Sequence, residues 1–196
     1  MKIKEPLIII HIVLTAGIII CLGFLLYHHY KLMEYGEALR QVGYITKEYL
    51  KINHNDILLS TSSKIPTVIP LSELDDFNKG NLMVNNDFIK DNFTHNICVL
   101  VLQPSDGSIQ ALVVTEGGKT LSDNSLNIIA SIIGVNGGGI YQYDNFFSFR
   151  IKEKFPFGKK IKEPIGNYGN SKVLCKDGIT PGNIKLTTGH PFYKLY

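Results

Sequence analysis

Leu7 to Tyr27 reads LIIIHIVLTAGIIICLGFLLY, 21 residues with no charge and a single histidine. A helix needs about 20 consecutive apolar residues to cross a bilayer, so this run predicts a transmembrane helix. The competing reading is a cleaved signal peptide. Its apolar core would be shorter, about 7–15 residues, and would end in a small-x-small site. After Phe24 the chain continues LLYHHYKLMEY, which offers no such site, so the run is read as a retained anchor. The apolar period continues beyond the anchor. Leu32, Tyr35, Leu39, Val42, Ile45 and Tyr49 recur three or four apart, with Lys31, Glu34, Glu37, Arg40, Lys47 and Glu48 between them. That is one apolar face of an amphipathic helix. No proline interrupts the chain from Leu7 to Ile65, and Pro6 sits where a first helical turn tolerates it. The spacing predicts one helix from about Pro6 to about Asn53, roughly 70 Å long. Its second half must lay its stripe on a globular domain. Gly36 and Gly43, seven apart on one face, would let a neighbour approach closely, although glycine lowers the intrinsic stability of a helix in water.

Three regions follow: 1–31, a cytoplasmic tip and transmembrane helix; 32–53, its amphipathic continuation; and 54–196, a periplasmic α+β domain. Lys2, Lys4 and the amino terminus flank one end of the span, and Lys31 and Arg40 the other, so the positive-inside count is nearly a tie. The shortness of the N-terminal tail decides for a cytoplasmic N-terminus. His11, inside the span, is read as neutral and tucked against a neighbour.

Past the helix, Asn53 to Pro70 reads as a loop, rich in Asn and Ser and closed by prolines. LSELDDF reads as a short helix capped by Ser72. The Asn-rich stretch that follows reads as turns, because its oxygens do not fall at the alternate positions of an EF-hand and no Glu closes it. ICVLVLQ and IQALVVT are two strands around the Asp-Gly of PSDGS, a hairpin signal. The second strand runs into EGGKT, which ends like a phosphate-binding loop. Such a loop needs a glycine five positions before Gly118, where this chain has Val113. A strand ending at a Gly-Gly turn is therefore the better reading. SDNSLNIIASIIG predicts a helix with Ser122 or Asp123 as cap, Leu126, Ile129, Ile132 and Ile133 as its apolar face, and Gly134 as its stop. VNGGG reads as a turn. It follows a helix, which excludes a dinucleotide fingerprint. IYQY and FFSFRI predict a further strand pair around Asp144-Asn145, with weaker strands near 172–175 and 183–187.

Net charge is +3, too mild to imply a nucleic-acid partner. The basic run between Arg150 and Lys162 is broken by Pro156 and Gly158 and reads as a solvated loop. The sequence carries no His-Glu-x-x-His and no Gly-x-Ser-x-Gly. His28 and His29 are adjacent and point about 100° apart on a helix, a poor arrangement for sharing a metal. His95 and Cys98 could form an activated thiol pair, but Cys98 lies in an apolar run where thiols are inert. No catalytic, cofactor-binding or metal-binding set is assigned, no cofactor is implied, and no small-molecule substrate is expected. Cys98 and Cys175 could pair if their domain faces an oxidising compartment. They could equally be two inert buried thiols.

IQALVVTEGG, the capped helix LNIIASIIGVNGGGI and NYG at Asn167 to Gly169, in this order behind a half-embedded helix, resemble the N-terminal constant region of the shufflon-type (PilV) minor pilins of type IVb pili. KEYLKINHNDIL and IPTVIPLSEL fall where that family has a Tyr-containing helix end and a Pro-initiated segment. The resemblance covers roughly residues 40 to 190. It implies a type IV pilin-like fold: a long N-terminal helix packed on a small, mainly antiparallel sheet. It also implies a structural role, with the inner membrane, the major pilin and other pilus subunits as partners. Prepilins carry a glutamate five residues beyond a processed glycine. Glu5 is then either such an assembly charge or a mere flanking charge. The rival expectation is an inner-membrane accessory protein of pilus biogenesis that never enters a fibre.

Overall fold

The computed structural model describes residues 4–64, 66–80, 82, 93–103, 107–140, 146–150, 160–164, 175 and 189–195. The chain opens with one continuous helix, α1 (Lys4–Ile52), of 49 residues. Its apolar first half is helical because nothing breaks the backbone ladder. Thr15 bonds its hydroxyl to the His11 carbonyl one turn back at 2.8 Å, so it leaves no unpaired polar group in an apolar stretch. At Leu32 the burial pattern changes abruptly. Leu32, Tyr35, Ala38, Leu39, Val42, Ile45 and Leu50 are all buried. Thr46 is buried among them because its hydroxyl is satisfied by the Val42 carbonyl at 2.8 Å. Tyr49, expected on the stripe, is only half-buried at its edge.

Asn53 to Ser60 is not the expected loop. Asn53 bonds back to Tyr49, and a second helix, α2 (His54–Ser60), follows at once. Ile57 anchors it in the core, so tertiary burial outweighs the local turn preference of Asn and Ser. The proline-bracketed TVIP is strand β1 (Thr67–Pro70), at an edge of the sheet, where a residue without an N–H is tolerated. Helix α3 (Leu71–Phe77) forms as expected, but Pro70 holds the cap position and Ser72 lies inside the first turn.

Strands β2 (Asn96–Leu102) and β3 (Gln110–Glu116) pair antiparallel along their whole length. Helix α4 (Asp123–Ile133) starts at Ser122, whose hydroxyl accepts from the Ser125 N–H at 3.3 Å, and stops at Gly134 with φ +100°. Its buried face is Leu126, Ile129, Ala130 and Ile133; Ile132 is only partly covered. The glycine run expected as a turn is strand β4 (Gly137–Ile140). A Cβ on Gly137 would lie 2.6 Å from Ile133 Cβ, and one on Gly139 would lie 2.9 Å from Leu126 Cδ1. The missing side chains are what allow α4 to lie against this strand. Strand β5 (Phe146–Arg150) pairs with β4, with Ile140 opposite Phe147. The rest of the expected IYQY strand lies outside the described residues. Strand β6 (Lys160–Pro164) pairs with β5, so both ends of the basic run, Arg150 and 160–162, are strand rather than loop, and 151–159 lie outside the described residues. The short β7 (Pro191–Lys194) has no counterpart among the expected strands. Of the two weak tail strands expected, only Cys175 is described, and it is not in a strand.

The seven strands form one antiparallel sheet in the order β1-β2-β3-β7-β4-β5-β6. The last strand thus closes the centre, between β3 and β4. One face, with Ile97, Val99, Val101, Ala111, Val113 and Leu195, packs on α1, α3 and α4. The other face carries Cys98, Leu100, Leu102, Leu112, Val114 and Phe192, with Cys175 packed on it. Burial on both faces explains why β2 and β3 read as continuous apolar runs rather than as alternating ones. The class is α+β: a long apolar N-terminal helix docked on a small antiparallel sheet.

Candidate functional site

The surface that sets this molecule apart is the first half of α1. From residue 8 to residue 30 every position is exposed. Ile20 and Phe24 are each more than 70% exposed. Soluble monomers rarely expose an apolar surface of this extent, and the helix is long and apolar enough to span a membrane. His11 is exposed there, and within this chain it is not tucked against a neighbour. Glu5 stands in the first turn of the same helix. The chemistry this surface offers is apolar contact with lipid or with another helix.

Gly36 and Gly43 mark where α1 meets the domain. A Cβ on Gly36 would lie 2.7 Å from Ile132 Cβ of α4, and one on Gly43 would run into the Tyr193 ring of β7. Both glycines therefore serve packing within this chain. Lys47 completes the second contact, with its ammonium 6.0 Å from the centre of the Tyr193 ring.

Beside Gly36 lies a buried polar chain that the sequence did not disclose. The Tyr35 hydroxyl is 2.6 Å from His95 Nδ1, and His95 Nε2 is 2.8 Å from the Lys119 carbonyl oxygen. A carbonyl only accepts, so Nε2 carries a proton. The lowered pKa keeps the ring neutral at pH 7, which leaves Nδ1 to accept from the Tyr35 hydroxyl. Burial pushes the His95 pKa down to about 4. The Lys119 carbonyl works the other way, and His190, 4.7 Å away ring to ring, adds to the lowering. Burial likewise raises the pKa of the Tyr35 hydroxyl, and Phe93 stacks on its ring at 4.6 Å. His190 donates from Nε2 to the Gly117 carbonyl at 2.7 Å.

These contacts explain the EGGKT stretch. Gly117 and Gly118 both have positive φ, and a Cβ on Gly118 would collide with the Phe93 carbonyl. Lys119 N–H bonds that same carbonyl at 3.0 Å, and Leu121 N–H bonds Gly189 at 3.0 Å. The Gly-Lys-Thr is a clasp that ties β3, α4 and the segment leading into β7 around Tyr35 of α1. At the far end of α1, the Tyr49 hydroxyl bonds Glu73 of α3 and its ring meets Phe77 edge-on at 5.3 Å. Burial and the Glu73 carboxylate push the Tyr49 hydroxyl up to about 12.

Cys98 and Cys175 are joined in a disulfide across 77 positions of sequence, so Cys98 has no thiol to serve as a nucleophile beside His95. Cys21 is a free thiol on the exposed half of α1. Among the described residues no group of three or more His, Cys, Asp or Glu side chains could hold a metal ion. Where α1 leaves its apolar half, a groove of about 360 Å³ opens between the helix and the domain, lined among others by Tyr27, Lys31, Lys119 and Ser122. No family model, curated protein or solved structure matches this chain.

Proposed function

We propose that this protein is a membrane-anchored, pilin-like assembly subunit, in the manner of the minor pilins of type IVb pili. The single observation that carries the reading is the continuity of α1. One unbroken helix offers 23 exposed residues, from 8 to 30, and then docks the next two turns and beyond on a sheet. Such a helix is held by lipid in one state and is able to pack on the helices of other subunits in another. Both environments are apolar, so the exchange needs shape complementarity rather than new charge pairs. The docked half is rigidly held by the Tyr35 clasp and the Gly36 and Gly43 contacts, which lets the domain follow the helix as one body. The disulfide supports a domain facing an oxidising compartment, consistent with a periplasmic location. Partners in this reading are the inner membrane, a major pilin and other pilus subunits, and Glu5 is its candidate assembly charge.

The test is an immunoblot of sheared surface fibres against the inner-membrane fraction, in cells making the remaining pilus machinery. Incorporation places the chain in the sheared fibres. Its confinement to the membrane while fibres are present overturns the pilin role and leaves the tethered accessory protein.

A further inference from the structure

The groove at the junction lies at a defined height. The apolar run ends at Tyr27, and Tyr27 and Tyr30 stand where interfacial aromatic residues collect. The groove is lined by Phe24, Tyr27, His28 and Lys31 from α1, and by Lys119 and Ser122 from the clasp and the start of α4. A bilayer that accommodates the apolar run puts this groove at the level of the headgroups. Two lysines reach it from two different elements, and among the described residues no carboxylate lines it. Glu34 pairs with Lys31 at 2.9 Å, and Asp123 follows Ser122 in the chain. Lys31 also sits 5.7 Å from the centres of both the Tyr27 and the Tyr30 rings, which keeps its ammonium at this height. His28 is shared with a second groove, of about 380 Å³, walled by Leu22, Leu25, Leu26, Leu32 and Ile128. A cationic groove and an apolar one, side by side at the bilayer surface, match a ligand with an anionic head and a hydrocarbon chain.

We infer that the junction groove binds the headgroup of an anionic phospholipid. The phosphate lies between Lys31 and Lys119, and an acyl chain follows the apolar groove beside α1. This rests on the membrane anchor of the proposed function but not on fibre assembly. The bound lipid sets the height and tilt of the domain over the membrane, because Lys119 belongs to the domain and Lys31 to the helix.

The test uses the full chain in nanodiscs of phosphatidylcholine with a minor fraction of phosphatidylglycerol, and reads the lipids retained by native mass spectrometry. Phosphatidylglycerol is expected to be enriched on the wild type. Lys119→Ala reduces that enrichment about fivefold, the effect of one basic residue at an anionic surface. Lys51→Ala, which removes the same charge from an exposed site in the last turn of α1, leaves it unchanged. The Lys119 backbone makes the clasp, so the variant is expected to melt as the wild type does. Equal effects of the two substitutions, or no enrichment in the wild type, overturn the site. Inorganic phosphate added to lipid-free protein in detergent is expected not to shift the Lys119 amide resonance saturably. A saturable shift there reassigns the groove to free phosphate and overturns the lipid. A chain that fails to enter nanodiscs at all removes the anchor itself, a failure distinct from loss of lipid preference.

Discussion

Phe24 and Leu32 are two turns apart on one helix, yet Phe24 is 72% exposed and Leu32 is 1% exposed. The two halves of α1 share a backbone geometry and little else. The first half is apolar on every side and, among the described residues, is exposed from residue 8 to residue 30. The second half is apolar on one stripe and polar on the other, where Glu37 and Arg40 form an exposed ion pair at 2.6 Å. The contrast separates two things that a helix in a small domain usually merges. Helicity follows from local propensity and an unbroken ladder. Burial depends on whether a partner surface exists, and here the partner of one half is the sheet and α4, while the other half must find its partner outside the chain.

The sharpest way to break this comparison is to make the same truncation on both halves. Leu39→Ala removes a fully buried side chain and is expected to lower domain stability by about 2–5 kcal/mol. Leu14→Ala is expected to leave it within about 0.5 kcal/mol. Thermal melting of both variants in the same detergent checks the pair. Equal losses would mean that the first half also packs on the domain.

A charge reverses the roles. Ile18→Lys is expected to oppose membrane insertion by about 3 kcal/mol without moving the melting temperature in detergent. Glycosylation-reporter insertion assays read the first effect and melting reads the second.

Acid is expected to loosen only the docked half, through His95. Its folded pKa of about 4 lies below the ordinary imidazole value of 6.5, so the unfolded chain takes up the proton first as pH falls. The contribution is complete above about pH 6.5, declines between 6.5 and 4, and is flat below that. The loss is about 3 kcal/mol. His95→Gln, with no imidazole to protonate, is expected to flatten that part of the profile in denaturant titrations at successive pH values.

A smaller effect sharpens the comparison within the docked half. Gly43→Ala forces a methyl against the Tyr193 ring and is expected to cost about 1–2 kcal/mol. Gly23→Ala, where a Cβ meets nothing within 4 Å, is expected to be neutral or slightly stabilising through helix propensity. Denaturant midpoints of the two variants check this.

Much of this contrast was legible before any coordinates. The stripe from Leu32 to Ile45 follows from the period of 3.6, and the bare half from its length without charge. Gly36 and Gly43 stood out as close-approach positions, though only the fold shows that Ile132 and Tyr193 are what approach. The clasp was hidden because Tyr35, His95, Lys119 and His190 are scattered over most of the chain. The nearest hint was a histidine in front of an apolar strand, which by itself has no partner. VNGGG was misread because glycine is a turn signal locally, whereas here it thins a strand so that Leu126 and Ile133 of α4 can lie on it. PFYK was missed because four residues beginning with proline carry almost no strand signal, and its place opposite Val113 is set by pairing across about 80 positions.

By itself the sequence determined the properties that depend on neighbours a few residues away: the long apolar helix, its amphipathic extension, the β2–β3 hairpin and the stop of α4. These are matters of period, charge and local hydrogen bonding, which act over one or two turns. The tertiary structure alone decided what requires distant segments to meet: β7 in the centre of the sheet, the choice of Cys175 as the partner of Cys98, and the neutral tautomer of His95. Their free energy comes from burial and from hydrogen bonds between groups that are far apart in the chain, and no short window of sequence contains both partners.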